Sequence, residues 1–245
     1  MLSYFKISLL FGISFSIVSH PSLLMDQETY EWCQEVREIL AQPYDALISL
    51  GGECQVAYQM RLHGIRNESL PFDWIITPFE GLEKILIQRF EHFLRPENLT
   101  FIYNEKEKYV FDIHYGIRFL HDFKLVPDFM SDYGKIQETY VRRIERFLHI
   151  IQTSIYPLFI RKKITKEQAW RLRTILKDLC GHENFLILAV DATQEIKENW
   201  HVPNVKNFYL RPPVPLTWKG DPLAWQEIFM ELGLQLMPTD NNIKR

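Results

Sequence analysis

The chain has little of several features that would assign it to a class at once. It carries three scattered cysteines, Cys33, Cys54 and Cys180, among 245 residues. Three cysteines are too few for a disulfide framework or a zinc cluster, so at least one thiol is free. A formal net charge of −3 also lacks the basic excess that nucleic-acid binding normally leaves. We therefore expect no nucleic-acid partner, no metal ion and no cofactor.

Other absences concern membranes, nucleotides and domain number. No run of about 20 apolar residues is present, so no stable membrane span is expected. The phosphate-binding signatures G-x-x-x-x-G-K-[ST] and G-x-G-x-x-G are missing as well. No linker rich in proline, glycine or serine and no internal repeat divides residues 25–245, which predicts a single domain there. The sequence does not indicate an oligomeric state.

Residues 1–24 allow two interpretations. An apolar block over residues 7–18 follows Lys6 and precedes small polar residues, which is typical of a secretory signal. Met25, however, precedes a good soluble start, so the first 24 residues could equally be an over-extended reading frame. The protein is secreted under the first interpretation and cytoplasmic under the second.

Helical and strand-like patterns alternate along the rest of the chain. Capping boxes at Thr77–Glu80 and Thr165–Gln168 predict the starts of two helices, and the apolar spacing after the first box predicts that its helix extends to Phe93. Two more helices are predicted over 135–152 and after Asp221. Short apolar runs predict strands at 46–50, 73–76, 99–103, 108–113, 116–120, 157–161, 185–190 and 205–210. Runs such as 185–190 are apolar on both faces, as in a covered sheet. The sequence therefore predicts an α/β fold, a single three-layer domain with a mixed, mostly parallel sheet and helices on both faces.

The most informative stretch is the strand–turn–helix pattern around Cys54. A strand over 46–50 leads into Gly51 and Gly52, and Cys54 then stands where a helix begins. The helix dipole and unpaired backbone N–H groups favour a thiolate at such a position. The glycines leave room for a substrate backbone, and the amides of Cys54 and Gln55 could receive a developing oxyanion. The alternative is that Cys54 is a small buried residue that packs the turn.

A cysteine nucleophile needs a base, which is normally histidine, and a third polar group that orients it. We favour His121 over His114 because it follows the apolar run 117–120 and begins a new turn. Asp191 is the first candidate for the third residue, since it ends a buried strand and ligands collect at the carboxyl ends of such strands. Asp122 is the second candidate.

The segment Pro71–Trp74 is a candidate pocket wall beside the thiol. Phe72 and Trp74 supply aromatic surface and Asp73 supplies a polar group, which is the usual composition of a binding site. The alternative is a proline-led strand whose aromatic side chains are simply buried.

Four motifs together resemble a known family. They are Leu50-Gly-Gly-Glu-Cys54, Arg66 with Pro71-Phe-Asp-Trp74, His121-Asp122-Phe123, and Tyr140-Val-Arg-Arg-Ile-Glu-Arg-Phe147. In this order they resemble a bacterial family of unknown function labelled putative papain-like cysteine peptidases, over roughly residues 45–230. The resemblance implies that Cys54 is the nucleophile and His121 the base. It also implies an alternative fold class, the α+β fold of papain. The sequence departs from papain where Gly51–Glu53 replaces the oxyanion-hole glutamine of papain-like enzymes.

Three functions follow in order of preference. The first is a thiol hydrolase or acyltransferase that acts on peptide or isopeptide bonds. The second is an α/β enzyme that binds a phosphate or nucleotide sugar at the same turn, with Arg142, Arg143 or Arg161 as its cation. The third is a non-catalytic binding module in which Cys54 is structural.

Overall fold

The computed structural model describes residues 43–105, 107–191, 198–210, 213 and 215–236. Residues 1–24, with their two interpretations, and Cys33 lie outside this part of the chain. The strands are β1 (Ala46–Ser49), β2 (Ile75–Ile76), β3 (Leu99–Tyr103), β4 (Lys108–Asp112), β5 (Ile117–Phe119), β6 (Pro157–Lys162), β7 (Leu186–Asp191) and β8 (Val205–Tyr209). The α-helices are α1 (Gln55–Leu62), α2 (Phe79–Ile87), α3 (Tyr133–Thr153), α4 (Lys166–Cys180) and α5 (Pro222–Glu231).

Four strands form a parallel sheet in the order β1-β6-β7-β8. Successive side chains of a strand point to opposite faces, and the core divides accordingly. Phe159 packs with residues of α2, α3 and α4, whereas its neighbour Leu158 packs with residues of α1 and α5. Helices therefore cover both faces of the sheet. The predicted three-layer α/β fold is confirmed, rather than its α+β alternative.

The remaining strands form a second, antiparallel sheet in the order β2-β5-β4-β3. The prediction of one mixed sheet is therefore wrong in this respect. The reason is local: β3 and β4 are joined by a tight turn in which the Asn104 amide donates to the Glu107 carbonyl at 3.1 Å. Strands joined by so short a loop pair with each other as an antiparallel hairpin.

The two predicted capping boxes have different outcomes. Thr165 and Gln168 bond reciprocally at the start of α4, as predicted. Helix α2 instead begins at Phe79 with Pro78 at its N-cap, and the buried Thr77 hydroxyl has no hydrogen-bond partner among the described residues. Helix α2 also ends at Ile87, short of the predicted Phe93, because Arg89 and Phe90 adopt positive φ angles of 48° and 64° and turn the chain.

Candidate active site

The turn that leads to Cys54 packs tightly against the end of β6. Gly52 has a φ of +93°, and a Cβ atom added there would lie 2.3 Å from the carbonyl oxygen of Lys162. Gly51 is similarly close to the backbone of Phe72, where a Cβ would lie 2.8 Å from the carbonyl oxygen. The expectation that these glycines leave room for a substrate backbone is therefore wrong, because the neighbouring chain already fills that space. Gly52 shapes the turn instead.

A buried arginine on β6 is hydrogen-bonded to the start of this turn. Arg161 on β6 donates to the carbonyl of Leu50 at 2.7 Å and to the carbonyl of Thr77 at 2.6 Å. Burial lowers the pKa of its guanidinium to about 9, so it is still cationic at neutral pH. With Nη1 and Nη2 both bonded to backbone carbonyls, Arg161 has a structural role in the turn.

Cys54 occupies the N-cap position of α1 and is only 6 % exposed. Burial raises the pKa of its thiol to about 11, against the effect of a hydrogen bond from its own backbone, and the carboxylates of Glu53, Asp122 and Asp73 raise it further. A thiol with this pKa is protonated at neutral pH, whereas the position at a helix start led us to expect a thiolate. The helix terminus alone does not overcome burial and three nearby negative charges.

Glu53, directly before Cys54, is paired with two lysines at the end of β6. Its carboxylate lies 2.7 Å from Lys162 Nζ and also contacts Lys163 Nζ. Burial opposes ionisation here, but the two lysines outweigh it and lower the pKa of Glu53. The pairs tie the turn to β6.

Of the predicted pocket wall, Asp73 is one of the carboxylates whose charge raises the pKa of the Cys54 thiol. Asp73 is buried, lies 2.7 Å from Arg66 Nη2 and accepts from the Leu70 amide at 2.8 Å. Burial raises the pKa of Asp73 despite the opposing Arg66 charge. Trp74 is half-buried, and the guanidinium carbons of Arg61 and Arg66 lie 5.4 and 5.6 Å from its ring.

Phe72, the other aromatic residue of that wall, has a different role. It is fully buried and packs against the rings of Phe90 and Phe147 at centroid distances of 5.5 and 5.6 Å. Its predicted place in a pocket is therefore wrong, since a side chain with no exposed surface in the core cannot face a ligand.

The segment after β5 carries the candidate base. His121 is exposed, and the neighbouring Asp122 accepts from the Tyr140 hydroxyl at 2.9 Å and lies 3.5 Å from Arg143 Nη1. Burial raises the pKa of Asp122 against the opposing effects of both partners. Asp122 is one of the three carboxylates whose charge raises the pKa of the Cys54 thiol.

Asp191, our first candidate for the third residue, ends β7 and is paired in register with Tyr209. Its side chain lies outside the described part of the chain. Strand β6 separates β7 from β1, the strand that leads to Cys54.

The side chain of Gln55 is directed into the interior between α1 and α5. Its amide nitrogen donates to the Trp218 carbonyl at 2.8 Å, and its oxygen accepts from the Trp225 indole at 3.3 Å. The Gln55 side chain is therefore not available to an oxyanion. Its backbone amide is still a candidate donor, as the sequence suggested.

Sequence reasoning missed two residues of this site, Arg66 and Tyr140, as partners of the carboxylates. Arg66 was visible only as part of the motif before Pro71. Tyr140 lies among apolar residues at helical spacing, and this pattern does not indicate a buried hydroxyl bonded to Asp122.

The described residues contain no group of three or more His, Cys, Asp or Glu side chains that could hold a metal ion. None of the described helices is long and apolar enough to cross a bilayer.

Comparison with known proteins agrees with the resemblance drawn from the motifs. The sequence model of a family described as "Putative papain-like cysteine peptidase" matches residues 45–190, which include Cys54, Asp73, His121 and Asp122. The chain is also 26 % identical to an uncharacterized protein of Acanthamoeba polyphaga mimivirus, in an alignment that covers 75 % of this chain and 96 % of the viral protein. That relative is viral rather than bacterial. No solved structure gives a significant match.

Proposed function

Since the chain belongs to the family of putative papain-like cysteine peptidases, we propose that this protein is a thiol hydrolase whose nucleophile is Cys54. The sulfur attacks the carbonyl carbon of a peptide or isopeptide bond while His121 takes the thiol proton. The backbone amides of Cys54 and Gln55 stabilise the oxyanion, and His121 returns the proton to the leaving amine. Water then hydrolyses the thioester and restores the thiol.

The observation that carries this proposal is the position of Cys54 at the start of a helix, where the charge of a residue distant in the chain acts on its thiol. Cys54 caps α1 directly after the turn from β1, and the charge of Asp122, next to His121, acts on it. Cysteine followed by histidine along the chain is the order that the family resemblance implies.

The raised pKa of Cys54, about 11, bears on the mechanism. A thiol with this pKa is almost wholly protonated at neutral pH, so its proton must leave when the substrate is attacked. The charges of Asp73 and Asp122 contribute to that raised pKa, because each disfavours a thiolate at Cys54. This electrostatic arrangement supports proton transfer to His121 rather than a preformed ion pair.

Asp122 is better supported than Asp191 as the third residue of the site. Tyr140 and Arg143 hold its carboxylate, and its charge acts on Cys54. We propose that Asp122 is a positioning residue that fixes the 121–123 segment against the thiol.

A non-catalytic binding module is the second candidate, because Cys54 is 6 % exposed and has a thiol pKa of about 11. The phosphate-binding alternative has less support. Arg161 is bonded to two backbone carbonyls, Arg143 faces Asp122, and the carboxylates around Cys54 would repel an anion.

Exposure of a denatured peptide mixture to the purified protein tests the proposal. We expect new peptide termini, detected by mass spectrometry, that disappear with Cys54→Ala. The matched control is Cys180→Ala, which removes a thiol of similar pKa, about 11, on α4. Products that persist with Cys54→Ala would contradict the proposed nucleophile. No cleavage by any variant would favour the binding module.

A further inference from the structure

Helix α1 has a single exposed or half-buried stripe, which lies on the same helix face as the buried Cys54. Most of the helix is buried, including Gln55, Val56, Ala57, Gln59 and Met60. Tyr58, Arg61 and Leu62 are its exposed or half-buried positions. Residues four and seven positions after Cys54 lie on the same helix face as the thiol. Tyr58 and Arg61 therefore lie on the face of α1 that is aligned with the buried Cys54.

A loop is held beside this stripe by two buried glutamines of the same helix. Gln55 Nε2 donates to the Trp218 carbonyl at 2.8 Å, and Gln59 Nε2 donates to the Lys219 carbonyl at 2.6 Å. Gly220 then allows the loop to approach closely, since a Cβ atom there would lie 2.7 Å from Gln55 Cδ. The loop is thus fixed through its backbone, and the side chains of Trp218 and Lys219 are not needed for its attachment.

These contacts place aromatic rings and cations together. The ring of Trp218 meets the ring of Tyr58 edge-on at 5.2 Å, and Lys219 Nζ lies 5.5 Å from the Tyr58 ring centroid. Arg61 Cζ lies 5.9 Å from the ring of Tyr58 and 5.4 Å from the ring of Trp74, and so links the two. We call Tyr58, Arg61, Trp74, Trp218 and Lys219 the aromatic–cationic surface.

The cations of this surface lack acidic partners. Among the described residues no ion pair joins Arg61 or Lys219 to a carboxylate, whereas nearby Arg66 is paired with Asp73 at 2.7 Å. Trp218 is 55 % exposed beside them. Large exposed aromatic side chains next to unpaired cations are typical of a recognition surface, because the rings supply contact area and the cations select charge.

We propose that the aromatic–cationic surface binds an acidic segment of a polypeptide. That this segment belongs to the substrate rests on the proposed function, whereas the binding itself does not. At 1.5 Å per residue, Arg61 lies about 10.5 Å along α1 from Cys54. An extended chain covers that length in about three residues. The surface therefore selects a Glu or Asp about three residues from the scissile bond.

A nucleic acid fits the same surface less well. Among the described residues of this surface it would meet only two unpaired cations, on a chain of net charge −3. Two cations would leave most charges of a polyanion without a partner, whereas one or two carboxylates on a peptide would both be paired by Arg61 and Lys219.

The test uses the full-length Cys54→Ala protein, which cannot turn over a substrate. The probe is a fluorescein-labelled decapeptide of alternating glutamate and tyrosine, and its control has glutamine in place of every glutamate. Binding is followed by fluorescence anisotropy. We expect the acidic peptide to bind more tightly than its control, and we expect its affinity to fall as the salt concentration is raised. Arg61→Glu should weaken binding about fivefold or more. Lys206→Glu, an equal charge reversal on β8 at the far edge of the sheet, should leave it unchanged.

Equal affinity for the two peptides would overturn the proposal. An equal loss of affinity for the acidic peptide with Arg61→Glu and with Lys206→Glu would also overturn it. Tighter binding of a labelled single-stranded oligonucleotide than of the acidic peptide would overturn it in favour of a nucleic acid. Because no variant in this assay is catalytic, these outcomes are independent of whether wild-type protein cleaves peptides.

Discussion

At the scale of single residues, the turn before Cys54 depends on the absence of a side chain at Gly52. Its φ of +93° is unfavourable for any other residue, and the Lys162 carbonyl oxygen occupies the place of a Cβ. The neighbouring atom is backbone within a sheet, so it cannot move aside at low cost. The position of the nucleophile therefore rests on this glycine.

We predict that Gly52→Ala lowers the free energy of unfolding by about 3 kcal/mol or more, since backbone strain and a steric clash add. Urea denaturation followed by circular dichroism measures this. The control is Gly134→Ala on α3, where a Cβ meets nothing within 4 Å. It should be neutral or stabilise by up to about 1 kcal/mol. Equal effects of the two substitutions would show that Gly52 is not structurally required.

The same residues show which properties of the site could be predicted from the sequence. The place of Cys54 at the start of a helix was predictable, because the strand, the two glycines and the helix are contiguous in the chain. The pKa of its thiol was not. It depends on burial and on Asp73 and Asp122, which tertiary folding brings to it from distant positions.

At the scale of elements, Glu53 connects the turn before α1 to the end of β6 through Lys162 and Lys163. Its lowered folded-state pKa means that ionised Glu53 favours the folded state above the ordinary carboxyl pKa of 4.5. That contribution is lost as the pH falls through the lowered value.

We predict that Glu53→Gln destabilises the protein by about 1 kcal/mol at pH 7, and that the difference from wild type shrinks as the pH falls below about 4.5. Urea denaturation at pH 7 and pH 4 measures the change. Glu138→Gln, an exposed carboxylate on α3, provides the control and should differ little from wild type at either pH. A pH-independent loss with Glu53→Gln would contradict the role of its charge.

The elements themselves were largely predictable and their assembly was not. The predicted strands at 99–103 and 157–161 agree with β3 and β6 within one residue, because apolar runs are local signals. The pairing of β3 with β4 follows from a short turn, but whether the strands form one sheet or two is a non-local property, and for this reason the second sheet was not foreseen. Helix α2 was predicted too long because the positive φ at Phe90 has no signature in the apolar spacing.

At the scale of the whole molecule, Arg161 connects the two sheets. Its guanidinium bonds the Leu50 carbonyl after β1 of the parallel sheet and the Thr77 carbonyl after β2 of the antiparallel sheet. Both contacts are buried, so neither carbonyl can turn to water if the arginine is lost. The side chain thus couples the two halves of the fold around the candidate site.

We predict that Arg161→Met lowers the free energy of unfolding by about 3–5 kcal/mol, because it leaves two buried carbonyls unpaired. Chemical denaturation measures the loss. Arg142→Met removes an exposed arginine that donates to Thr139 and should change stability by less than about 0.5 kcal/mol. An Arg161→Met protein as stable as wild type would mean that the two sheets are held together without it.

The measurement that most directly tests the role of Cys54 is its acylation by p-nitrophenyl acetate at pH 7.5, located by mass spectrometry. Cys180 provides an internal control, because burial raises its thiol pKa to about 11 as well and its side chain is less buried than that of Cys54. We predict that Cys54 is acylated much faster than Cys180, and that His121→Ala slows the reaction at Cys54 by about a hundredfold or more. Acylation of Cys54 at the rate of Cys180, or at an unchanged rate in His121→Ala, would contradict a nucleophile activated by His121.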